Sequence, residues 1–170
     1  MNAKLHKPKQ GCGNMSLNTT LLAQIAGDTQ AEYSIKDLAR ASGVSTDTVR
    51  RAMPGLLAQG LVHRITGGRI MLYTAAPDNP AVTCFKVFTT IQSLQPLVKR
   101  LRPLAHRIVL YGPCATGADA PGSDINLFIV APDPTAVLNI TDTYWIPILG
   151  GSESRKVGKS ESLRGITPFP

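Results

Sequence analysis

The reading of the fold turns on Ser34–Val62, "SIKDLARASGVSTDTVRRAMPGLLAQGLV". Ser34 stands where an N-cap is wanted, and Ile35, Leu38 and Ala39 then share one face of a helix over 35–41. Gly43 suits the left-handed turn after it. Ser45 is a second cap, opening a helix whose apolar set is Val49, Ala52, Met53, Leu56 and Leu57, with Gly60 at its end. Pro54 falls inside this helix. It removes an N–H, so the sequence predicts a kink or a last turn split off at Gly55.

Upstream, Leu17, Leu21, Leu22 and Ile25 recur at helical spacing, closed by Gly27. Downstream, "LVHRI" and "RIMLY" are strand-like runs around Thr66-Gly67-Gly68, a hairpin signal. Helix, Gly turn, helix and hairpin in this order resemble the winged helix-turn-helix family, over roughly 17–76. The resemblance implies a transcriptional regulator that binds double-stranded DNA. It lays the second helix of the pair in the major groove. The expected DNA-contacting residues are Ser45, Thr46, Thr48, Arg50 and Arg51 at that helix, with Arg64 and Arg69 on the wing. Ser45 is a cap first and a contact in addition. Lys36 and Arg40 merely solvate the first helix of the pair.

Charge agrees with this division. The 170 residues carry a net +7, with 14 Lys and Arg against 5 Asp and Glu in 1–107. Residues 108–150 hold 4 Asp and no Lys or Arg. A basic first half fits a polyanion, and the acidic stretch marks a module with another partner. No apolar run is long enough to span a bilayer, and the basic N-terminus lacks a signal peptide's apolar segment. Cys12, Cys84 and Cys114 form no C-x-x-C pair, and all three read as buried or incidental thiols. A reducing, cytoplasmic setting follows.

After residue 80, Val82, Phe85, Phe88, Ile91, Leu94, Val98 and Leu101 make the apolar stripe of a connecting helix over 80–104, broken or bent near Pro96 and ended by Pro103. Core packing or a connector between domains is one reading of the stripe. A homodimer seam through 81–102 is the other.

"VLYGPCATGADAPGSDINLFIVA" (109–131) follows. The strand Ile108–Tyr111 ends at Gly112, ten residues separate Pro113 from Asp124, and a strand over Ile125 to Val130 follows. This resembles the minimal nucleotidyltransferase domain of the polymerase-beta superfamily. The resemblance implies a nucleotide and Mg²⁺ held by a Gly-Ser turn and by carboxylates two residues apart on one strand. Gly112 and Asp124 keep that pattern. Asn126 replaces the second carboxylate, Pro113 the Ser, and Cys114 and Thr116 the usual arginines. The remnant nucleotide and metal site is therefore Gly112, Asp124 and Asn126, with Asp124 the weak metal ligand. Catalysis is expected to be impaired. An active Mg-dependent nucleotidyltransferase that uses the winged helix to find its target is the alternative.

"TDTYWIPIL" reads as a third strand, pushed to an edge by Pro147. The chain ends soon after it, which implies a truncated domain. The expected fold class is thus α+β in two modules: a winged helix-turn-helix, a connecting helix, and a small nucleotidyltransferase-like α/β domain. The expected boundaries are a basic disordered tail (1–16), the DNA-binding domain (17–76), the connecting helix (80–104), the second domain (105–150) and a flexible tail (151–170).

Overall fold

The computed structural model describes residues 16–67, 70–142, 144–147 and 154–157. Helix α1 spans Leu17–Ala26, and the Ser16 hydroxyl caps it by accepting the Thr19 N–H. Strand β1 (Tyr33–Ser34) leads into α2 (Ile35–Ser42) and then α3 (Thr46–Ala58). Strands β2 (Val62–Gly67) and β3 (Ile70–Ala75) form the wing. Their antiparallel register runs from Val62 opposite Ala75 to Gly67 opposite Ile70. Strand β1 adds to β3, giving a three-stranded sheet in the order β1-β3-β2. The hairpin expected from the sequence had no third strand, because two residues are too few to show alternation.

The first core gathers Leu21, Leu22 and Ile25 of α1, Leu38 of α2, and Val49, Met53 and Leu56 of α3. Val62, Tyr73 and Ala75 close it from the wing, and Val82 from the next helix. Gly43 adopts φ 69°, the left-handed conformation expected of it, whereas Gly27 stays right-handed at φ −60°. Helix α3 runs unbroken through Pro54, contrary to the split expected at Gly55. Met53 and Leu56, on either side of the proline, are 1% and 2% exposed. Their burial outweighs one lost hydrogen bond.

Helix α4 spans Pro80–Leu101 and also continues through its proline, Pro96. Leu94, Leu97 and Leu101 lock its C-terminal half into a second core with Cys114, Ile125, Leu127, Ile129, Val137 and Val157. The apolar stripe expected along α4 does not form a single face. Val82, Leu94 and Leu101 are buried, but Phe88 is 50% exposed and Ile91 43%. The two cores grip the helix on a face the stripe does not follow. That face also carries Lys86, 6% exposed.

Strand β4 (Arg107–Tyr111), helix α5 (Pro113–Thr116) and strand β5 (Asn126–Val130) make the second module's hairpin-like unit, with β4 and β5 antiparallel. Helix α6 (Pro134–Thr141) follows, with Asp133 accepting from the Thr135 and Ala136 N–H groups. The sequence reading had no α6, although Asp-Pro is a fair N-cap and first-turn pair. Strand β6 (Trp145–Pro147) pairs with β7 (Ser154–Lys156), not with β4 or β5, so the expected third strand belongs to a separate sheet. Val157 bridges Ile125 and is 4% exposed. Residues 154–157 therefore depart from the flexible tail expected over 151–170. The rest of that stretch and residues 1–15 lie outside the described residues. Cys84 is exposed and Cys114 buried, so only the second matches the buried reading.

Two contacts tie the loop after α5 to α4. A Cβ on Gly117, at φ +74°, would meet the Thr83 carbonyl oxygen at 2.7 Å, so only glycine lets the chain pass there. The Lys86 ammonium donates to the Asp119 carbonyl and lies 3.4 Å from its carboxylate.

Candidate nucleic-acid interface

Helix α2 carries the turn that aims α3. The Ser34 hydroxyl accepts the Asp37 N–H, and Asp37 accepts the Ser34 N–H in return, a full capping box. The Ser34 hydroxyl donates to the Asp37 carboxylate at 2.6 Å, and with the backbone bond it holds that carboxyl below its ordinary value. A folded-state pKa below the unfolded one adds stability above the unfolded value, about 3.9, and loses it as pH falls through the folded value. Asp37→Asn is therefore expected to flatten the acid limb of the stability–pH curve. Chemical denaturation between pH 2 and pH 6 reads this out, and superimposable curves would refute it.

At the start of α3, Ser45 accepts the Thr48 N–H at 3.2 Å, and the two hydroxyls lie 2.8 Å apart. Thr46, Arg50 and Arg51 are exposed and Thr48 is half-buried. With Ser45, they occupy the first two turns, where a helix end meets phosphates and bases. Asp47 organises both arginines: its carboxylate pairs with Arg50 at 2.6 Å, and its carbonyl accepts from Arg51 Nε at 3.4 Å. This tether was missed in the sequence, although spacings of three and four residues signal it.

Arg64 is exposed on β2, opposite Tyr73 in the register. Arg69 lies outside the described residues. From Thr48 to Pro77 the chain has no Asp or Glu, so this surface is cationic apart from Asp47. Ile65, Ile70 and Met71 on the wing are also exposed.

In the second module, Gly112 has φ 74° and ψ −163° at the start of α5. A Cβ there would lie 2.8 Å from Asn126 Nδ2, so the glycine and Asn126 are in close contact. Asn126 sits opposite Tyr111 in the β4–β5 register. Asp124 is exposed, and its carbonyl accepts from the buried Cys114 thiol at 3.4 Å. Gly112, Asp124 and Asn126 thus sit around one turn. Among the described residues, no three His, Cys, Asp or Glu side chains gather as a metal site. No helix among them is long and apolar enough to cross a membrane.

No curated protein matches the chain. Several solved structures are similar at low identity. Reduced HlyU from Vibrio cholerae N16961 is 18% identical, with a TM-score of 0.36 over 49% of this chain and 77% of its own. Lactococcus lactis ZitR, described as a zinc-responsive MarR family member, is 14% identical over 60% of this chain and 71% of its own, with a TM-score of 0.40. A ZitR variant in complex with DNA is 15% identical over 62% and 73%, with a TM-score of 0.41. Residues 28–74 match the family model of the DeoR-like helix-turn-helix domain, which fits α2, α3 and the wing and makes this module a helix-turn-helix of DNA-binding type.

Proposed function

We propose that the protein is a sequence-specific regulator of transcription in the cytoplasm that binds double-stranded DNA through α3 and the wing. The observation that carries this is the acid-free surface from Thr48 to Pro77, with Arg50, Arg51 and Arg64 exposed on the two elements that reach a duplex. Ser45, Thr46 and Thr48 contact the backbone or base edges at the start of α3, Arg50 and Arg51 reach the major groove, and Arg64 and Arg69 grip phosphates beside it. Selection from a random duplex pool with the purified protein tests this. Enrichment of one motif is the expected result, and retention of the unselected pool at every salt concentration would refute it.

The second module is proposed to descend from a nucleotidyltransferase-like fold and to work without catalysis. The close contact of Gly112 with Asn126 beside Asp124 supports it. Asn126 is neutral and Pro113 brings neither hydroxyl nor N–H, so Mg²⁺ and a triphosphate would find few ligands. The module then holds a nucleotide or a partner rather than transferring a nucleotidyl group. Incubation with each labelled NTP and Mg²⁺ is expected to leave the label unincorporated. Transfer that disappears in Asp124→Ala would favour the active enzyme. Residues 81–102 are proposed to join two copies of the chain.

A further inference from the structure

Helix α4 has a second face. Opposite the positions held by the two cores, Ala81, Cys84, Phe88, Ile91 and Gln95 are all exposed. They follow one another at intervals of three, four, three and four residues, the spacing of a coiled-coil seam. The face includes two large apolar side chains in the open, and Phe85 lies beside them, its ring centroid 6.5 Å from that of Phe88. A seam with that spacing fits another helix with the same spacing.

Charge and size decide how two such helices meet. Asp78 is exposed just before the start of α4, and Lys99 is exposed near its end on the flank of the seam. In a parallel pair, Lys99 would face Lys99 and Asp78 would face Asp78. In an antiparallel pair with its two-fold axis midway between Phe88 and Ile91, each Lys99 approaches the other copy's Asp78. Phe88 then meets Ile91, Cys84 meets Gln95, and Ala81 meets Val98. The helix dipoles also oppose each other favourably in this arrangement.

We infer that the protein associates with a second copy of itself through an antiparallel pairing of α4 along Ala81, Cys84, Phe88, Ile91 and Gln95. This rests on the reading of 81–102 as the contact between copies and adds its direction and register. One consequence is geometric. The winged-helix cores attach near the N-terminal ends of α4, so the antiparallel pair sets them at opposite ends of the seam. Their separation along α4 is roughly 20 Å or more, at 1.5 Å per residue. A parallel pair would bring them side by side.

Cysteine chemistry tests the register, with Cys12→Ser as the background so that Cys84 is the exposed thiol. The antiparallel register sets the two Cys84 residues eleven positions apart along the axis, about 16 Å, too far for a disulfide. It sets Cys84 beside position 95 of the other copy. Adding Gln95→Cys is therefore expected to give a disulfide-linked dimer on mild oxidation, while the background protein stays unlinked. Within one chain, positions 84 and 95 are equally far apart and cannot close on each other. Sedimentation velocity on the reduced protein supplies the second readout. Phe88→Glu, at an exposed position that the fold tolerates, is expected to raise the dimer dissociation constant roughly thirtyfold or more, as for an aromatic hot spot. Efficient linkage of the background protein through Cys84 alone would overturn the antiparallel register but leave the contact between copies. A monomer at every concentration would overturn both. A dimer unaffected by Phe88→Glu would place the contact elsewhere.

Discussion

Lys86→Met is expected to lower stability by about 3–5 kcal/mol, the cost of breaking a buried ion pair on one side. The pair's side chains are 7% and 5% exposed, so little water can stand in for the missing ammonium. Methionine keeps the length of the stem and its packing, and the loss therefore reports the charge rather than a cavity. Lys86 also donates to the Asp119 carbonyl, so the loop after α5 loses two anchors at once. Urea unfolding followed by circular dichroism gives the measurement. Lys86→Met with Asp119→Leu is expected to recover the part of the loss that comes from the unpaired carboxylate, because two apolar groups leave no buried charge, while the bond to the residue 119 carbonyl stays lost. A single-variant loss below about 1 kcal/mol, the range of exposed pairs, would mean that water reaches the pair.

The second large effect falls on DNA. Arg50→Ala with Arg51→Ala is expected to weaken binding to the selected duplex by about 2–6 kcal/mol, at least roughly thirtyfold. The two arginines lie one residue apart on α3 and cannot point the same way. Asp47 therefore matters: it pins Arg50 through its carboxylate and Arg51 through its carbonyl, limiting the freedom each would lose on binding. Each phosphate contact that disappears also lowers the slope of log K against log salt by about one unit. Fluorescence anisotropy between 50 and 300 mM salt separates the two roles. A fall in affinity with the slope unchanged assigns the arginines to bases, and a shallower slope assigns them to phosphates. Unchanged affinity for the selected duplex would remove α3 from the interface.

The winged-helix half was legible because its signals are local. Ser34 and Ser45 cap within three residues of their partners, Gly43 takes the left-handed turn itself, and the wing strands flank their own turn. The breaks read at the two prolines did not form, for the opposite reason. The cost of Pro54 and Pro96 is local, but the burial of Met53, Leu56, Leu94 and Leu97 that overrides it comes from distant segments. The same holds for Lys86, which sat in the sequence as one more cation and is held by a residue 33 positions away. Strand β1 and helix α5 are too short to leave a period. Of the candidate site, the positions on α3 could be named from helix phase alone, whereas the tether through Asp47 needed the side-chain geometry. In the second module, the turn at Gly112 was legible. Its contact with Asn126 was not, since it depends on how β4 and β5 register.

Helix α4 is more than a spacer between the two halves. Val82 and Phe85 complete one core, and Leu94, Leu97 and Leu101 help build the other, on a single continuous helix. Neither half has a boundary at which the chain can be cut without opening its interior. A fragment ending at the wing would lack a wall of its own core. A fragment beginning after α4 would leave Ile125, Leu127 and Ile129 facing water. The halves are therefore expected to unfold together, and a ligand that tightens one to make local unravelling of the other more costly.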